Sequence, residues 1–145
     1  MEHQKRWDLS STGVFLDTSF VVAVINENDA FHQMAAGLEN DLKQCSHIWI
    51  TEAILFEIGN SFSKSNKEQV SKFIHYCYQS PRIHVIKPDE ELIGQALLLF
   101  SQYHDKDWSL TDCLSFVVMK REKISIAYSS DHHFEQAGFL YTMKI

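Results

Sequence analysis

No stretch of this sequence is apolar for long enough to cross a bilayer. The longest uncharged runs, CLSFVVM at 113–119 and LIGQALLLF at 92–100, fall well short of the ~20 residues a spanning helix needs. Residues 1–25 lack the basic start and apolar core of a secretory signal, so the expected location is the cytoplasm, with no membrane contact. Cysteine is scarce: Cys45, Cys77 and Cys113 are odd in number and without CxxC spacing, which supports neither a disulfide framework nor a zinc site. Cys113 sits in an apolar helical stretch, where small thiols are commonly buried. Five glycines and two prolines make no phosphate cradle and no linker. The patterns H-E-x-x-H, Walker A, G-x-S-x-G and G-x-G-x-x-G are missing, which removes the enzyme classes that depend on them. Positive charge is also in deficit: 13 basic against 19 acidic side chains leave a net charge of −6, which argues against sequence-independent wrapping of long nucleic acid. A small nucleic-acid substrate stays open, because acids gathered around divalent cations do not act as free negative charge. The densest basic cluster, Lys120, Arg121 and Lys123, fits the end of a helix, where cations compensate the dipole; a local rim for phosphates is its other reading.

What is present suits one core. At 145 residues and 45% apolar content, the chain has the usual size and composition of a single globular domain. Residues 1–12 are polar and without period, and read as a leader; residues 13–145 read as the domain. Strand candidates fall at 13–17, 47–50 (HIWI), 83–86 (IHVI), 124–128 (ISIAY) and near LYTM at 140–143. Between them lie helical stretches: FVVAVIN after Asp17, 29–44, Thr51 to about Ser63 with Thr51 as its cap, 66–79 ending before Pro81, 89–104 opened by Asp89, Glu90 and Glu91, and a stretch opened by Ser109. Short strands separated by helices imply an α/β domain whose mostly parallel sheet is covered on both faces, since parallel neighbours need crossover helices. In such sheets, ligands bind in the crevice beyond the carboxyl ends of the strands.

Four acids are placed to reach such a crevice. Asp17 ends VFLD and Asp131 follows ISIAYSS, so each stands just past an apolar, partly β-branched strand candidate. Glu57 lies among Ile54, Leu55, Phe56 and Ile58, where a carboxylate beside a buried face needs a partner. Asp112 lies in S-L-T-D at the start of an apolar helix. Each also has a plainer reading. Asp17 would cap the following helix, Asp112 would complete a capping box with Ser109, Asp131 would form an Asx-turn, and Glu57 would extend to solvent. If they converge, two carboxylates ~4 Å apart repel by about 4 kcal/mol at an effective dielectric of ~20. The cluster must then bind protons or cations. Hard divalent ions are the natural partners, and they imply metal-dependent phosphodiester hydrolysis. Ser19, Thr111 and Ser129 are candidates to hydrogen-bond the acids from behind. His132 and His133 adjoin Asp131, but with eight histidines scattered along the chain the simpler reading for both is surface or packing. Asp107 reads as a solvated loop charge.

The segments LDTSF at 16–20, TEAILFEIGN at 51–60, WSLTDCLSF at 108–116 and SSDHHFEQAGF at 129–139 together resemble the successive motifs of PIN-domain ribonucleases, especially VapC-type toxins. The likeness runs in order over about residues 13–143. It implies a three-layer α/β/α sandwich with a mostly parallel five-stranded sheet, Mg²⁺ or Mn²⁺ as cofactor, and endonucleolytic cleavage of RNA. It further implies a homodimer and a small cognate antitoxin. Carried over by position, Asp17, Glu57, Asp112 and Asp131 are its catalytic and metal-binding acids. Ser129 stands where the family often has threonine and keeps the hydroxyl. Two alternatives remain: a catalytically silent PIN-like module that binds RNA or protein, and a doubly wound phosphoacceptor domain, which leaves Glu57 and Asp131 without a task.

Overall fold

The computed structural model describes residues 13–145; the leader assigned to residues 1–12 lies outside them. Along the chain run β1 (Val14–Leu16), α1 (Thr18–Ile25), α2 (His32–Leu42), β2 (Ile48–Thr51), α3 (Glu52–Ser61), α4 (Lys67–Gln79), β3 (Ile83–Ile86), α5 (Glu90–Gln102), α6 (Leu110–Arg121), β4 (Ile126–Tyr128), α7 (His133–Gln136) and β5 (Leu140–Tyr141). The five strands form one sheet in the order β3-β2-β1-β4-β5, and every neighbouring pair is parallel. All strands therefore end on one edge, as alternating strands and helices demand.

Alternation along β1 separates the layers. The Phe15 ring packs on Phe134 of α7, and Phe134 meets Phe116 of α6 edge-on at 5.2 Å. Leu16 lines the opposite face with Phe20 and Val24 of α1, Leu42 of α2 and Phe73 of α4. The α/β/α sandwich expected from the sequence is the observed fold. Gly13 opens the sheet because nothing larger fits: a Cβ there would lie 2.0 Å from the Trp49 ring and 2.6 Å from the His47 carbonyl oxygen.

Local signals set the helix starts. Thr51 ends β2 and caps α3, its Oγ1 accepting the Ile54 N–H at 3.2 Å. Asp89 caps α5 through the Leu92 N–H at 2.8 Å. Ser109 and Asp112 form a reciprocal capping box on α6, a helix that buries Cys113, Leu114, Phe116, Val118 and Met119. Lys123, at φ 58°, turns the chain out of α6 towards β4. The short α7 is the element that periodicity did not predict, since four residues are too few to show a helical repeat. All three cysteines are free and buried. Among the described residues no helix is long and apolar enough to cross a membrane.

Candidate active site

The sheet order makes β1 the neighbour of both β2 and β4, so the chain connections diverge at the β1–β4 boundary. An open α/β sheet offers its crevice at such a switch point. Asp17 directly follows β1 and Ser129 to Asp131 follow β4. The Asp17 N–H donates to the Tyr128 carbonyl at 3.1 Å, which ties the two strand ends together. A crevice of roughly 630 Å³ opens there, lined by all four acids together with Thr18, Ser19, Asp107, Ser109 and His133.

Asp17 occupies the cap position of α1, yet its side chain caps nothing. Instead Oδ2 accepts hydrogen bonds from Ser129 Oγ at 2.7 Å and Ser19 Oγ at 2.9 Å. Each hydroxyl also accepts a backbone N–H, from Asp131 at 2.9 Å and Ser130 at 3.0 Å respectively. The two serines thus relay the turn after β4 onto the carboxylate after β1. Asp17 is only 7% exposed. Burial raises its pKa to about 6; the hydrogen bonds from Ser129 and Ser19 oppose that rise, and the nearby Asp112 and Asp131 carboxylates add to it.

The other acids are held just as specifically. Glu57 reaches the crevice from α3, and Thr18 Oγ1 donates to its Oε1 at 2.5 Å. The capping-box reading of Asp112 is correct but incomplete. Its Oδ2 accepts the Ser109 N–H at 3.0 Å and also lies 3.1 Å from His133 Nδ1. Asp131 does form the Asx-turn, Oδ1 accepting the His133 N–H at 2.9 Å, and that same oxygen is 3.2 Å from His133 Nδ1. Each carboxylate therefore has one oxygen tied down. Among the described residues, Asp17 Oδ1, Glu57 Oε2, Asp112 Oδ1 and Asp131 Oδ2 have no hydrogen-bond donor. Four oriented carboxylates with one open oxygen each, one of them buried and reluctant to ionise, are a donor set that fits a hard divalent cation.

Two expectations change. Thr111 does not brace an acid among the described residues; it contributes only its carbonyl, which accepts the Ser115 hydroxyl at 3.0 Å. The threonine that braces an acid is Thr18 of α1, through Glu57. His133 is neither a surface nor a simple packing residue, since its side chain is 18% exposed and wedged between two acids. His132 does not line the crevice and its side chain is 67% exposed, but its Nδ1 lies 3.8 Å from Asp131 Oδ1, and Asp131, His132 and His133 offer ligand atoms within 4.8 Å of one another. Asp107 is the exposed loop residue the sequence suggested, and it borders the crevice beside the buried Trp108, whose Nε1 donates to Gln136 Oε1 at 2.9 Å. Thr18 beside Asp17 and His133 two residues after Asp131 were the available signals. Lys120 and Arg121 line a separate groove with Tyr103, Trp108 and Phe139.

Comparison with known proteins agrees with this architecture. The PIN domain family model matches residues 14–140. The 23S rRNA-specific endonuclease VapC20 of Mycobacterium tuberculosis is 26% identical over 127 residues, covering 88% of this chain and 95% of the relative. The crystal structure of that VapC20, a Sarcin-Ricin loop cleaving toxin, superposes with a TM-score of 0.78 at 25% identity, over 88% of this chain and 96% of the other. VapBC2 from Rickettsia felis, bound to a DNA fragment from their promoter, shares the fold with a TM-score of 0.63 at 19% identity, covering 90% and 97%. FitAcB from Neisseria gonorrhoeae does so at 0.62 and 14%, covering 90% and 96%. With a match that spans nearly all of the described sheet and its helices, the chain belongs to the PIN-domain family.

Proposed function

We propose that this protein is a metal-dependent endoribonuclease, the toxin of a toxin–antitoxin pair. The observation that carries the reading is the set of four carboxylates at the β1–β4 switch point, each with one oxygen tied and one open. Asp17, Asp112 and Asp131 would hold Mg²⁺ or Mn²⁺, with Glu57 binding a second ion or orienting the attacking water. Bound there, the ion supplies a nucleophilic water at neutral pH and neutralises charge on the reacting phosphate. The residues contribute orientation: Ser19 and Ser129 aim Asp17, and Thr18 fixes the rotation of Glu57. No side-chain nucleophile is needed.

RNA as substrate is supported by the likeness to VapC20, and a small DNA-binding antitoxin by the likeness to VapBC2. A homodimer would cover the apolar side chains that α5 exposes at Ile93, Leu97 and Phe100, spaced as one helical stripe; light scattering would then give twice the chain mass. The deciding experiment incubates purified protein with a sarcin-ricin loop RNA and an unrelated hairpin, with Mn²⁺, with Mg²⁺ and with chelator. Asp17→Asn and Asp131→Asn serve as controls. Cleavage that needs metal and disappears in folded variants is the expected result. Undiminished cleavage by Asp17→Asn, or none by wild type on any RNA, overturns the reading in favour of contamination or a silent binding module.

A further inference from the structure

We infer that His133 is a positioning residue, whose ring hydrogen-bonds Asp112 and whose backbone N–H holds Asp131, fixing both carboxylates with one oxygen of each left open in the crevice. The inference rests on the metal-site reading above and adds to it a residue outside the four acids. His133 Nδ1 lies 3.1 Å from Asp112 Oδ2 and 3.2 Å from Asp131 Oδ1. A carboxylate oxygen accepts, so the tautomer of His133 that suits this contact carries its hydrogen on Nδ1, and that nitrogen then has no lone pair to offer a metal. Its role is that of a donor.

The bridge joins elements that nothing else links at their carboxylates. Asp112 belongs to the first turn of α6 and Asp131 to the turn after β4, 19 residues on; among the described residues His133 alone hydrogen-bonds both side chains, Asp112 through its ring and Asp131 through its backbone N–H, with Nδ1 also 3.2 Å from the Asp131 oxygen. The bridge is also stiff. Its backbone N–H is already committed to Asp131 Oδ1 at 2.9 Å, and the next residue, Phe134, is fully buried against Phe15 and Phe116. The His132 ring packs beside it at 4.7 Å. With both carboxylates turned in advance, ion binding has less side-chain freedom to remove, and outer partners of this kind typically change metal affinity by ~10–100-fold.

The test measures Mn²⁺ binding to RNA-free protein, by electron paramagnetic resonance of free Mn²⁺ and by calorimetry. His133→Ala removes the donor. His133→Asn keeps one, because an asparagine side-chain nitrogen occupies the same branch as Nδ1. The expected result is ~10–100-fold weaker binding by His133→Ala and recovery of most of it by His133→Asn. Melting in chelator checks the fold, and should His133→Ala lose its cooperative melt, His133→Leu carries the same expectation. Wild-type affinity in the alanine or leucine variant overturns the inference. So does an asparagine variant as weak as alanine, which would make the ring nitrogen a ligand. A wild-type protein that binds no Mn²⁺ removes the metal-site reading itself, a result distinct from a wild type that binds and variants that bind equally.

Discussion

Asp17 makes the proposed site costly to keep in the absence of an ion, and the cost has a definite pH signature. Burial, opposed by two serine hydroxyls and reinforced by Asp112 and Asp131, raises its pKa from 3.8 to about 6. Between those values the folded protein holds a proton that the unfolded chain has released. Stability then falls with rising pH by about 1.4 kcal/mol per unit. The contribution is fully present below pH 3.8 and is lost as pH rises through about 6, a total of about 3 kcal/mol by pH 7. Asp17→Asn keeps the shape and removes the titration. In chelator, the variant should match wild type near pH 4 and exceed it by about 3 kcal/mol at pH 7.5, or roughly 6–12 °C in melting midpoint. Circular-dichroism melts of both proteins from pH 4 to 7.5 isolate Asp17 and its coupling to Asp112 and Asp131, because groups that do not interact with it cancel in the difference. Saturating Mn²⁺ should close the gap by stabilising only the wild type. A gap that does not depend on pH, or one that favours the wild type at neutral pH without metal, refutes the assignment of Asp17 as a buried, strained carboxylate.

Thr18→Val removes the 2.5 Å bond that fixes Glu57; RNA cleavage at saturating metal should fall ~10–100-fold while the melting midpoint hardly moves. Ser109→Ala breaks the capping box of α6 and should cost about 1 kcal/mol in urea denaturation, yet leave Mn²⁺ affinity nearly intact, because His133 still holds Asp112. Gly13→Ala places a methyl group against Trp49 and the His47 carbonyl, and the forced shift should cost about 1–3 kcal/mol in the same assay. Mg²⁺ or Mn²⁺ at about a hundred times its dissociation constant should stabilise wild type by about 2.7 kcal/mol; thermal melts before and after chelator check the reversal.

Much of the scaffold was legible because its signals are local. Thr51, Asp89 and Ser109 cap helices through partners three residues away, a distance that spacing alone encodes. The capping box and the Asx-turn read from Asp112 and Asp131 both exist, but neither is an alternative to a place in the crevice, since each ties one oxygen and leaves the other open. The reverse error concerns Asp17, whose position suits a cap that its side chain does not make. Thr111 failed as a brace and Thr18 was overlooked for one reason: the face a helix residue presents depends on how the helix is rotated, and packing sets that rotation.

The sequence by itself determined the alternation of strand and helix, hence a parallel sheet with one carboxyl edge, and it put Asp17 and Asp131 at that edge. Only the tertiary structure decided what holds the acids. Ser129 meets Asp17 across 112 positions, Thr18 meets Glu57 across 39 and His133 meets Asp112 across 21. Such contacts require two backbones to be brought together before a hydrogen bond can reward the closure, so no local pattern records them. The strand order that joins β1 to β4 made these encounters possible, and the buried aromatic contacts of Phe15, Phe116 and Phe134 hold α6 and α7 at the distance where His133 spans two carboxylates.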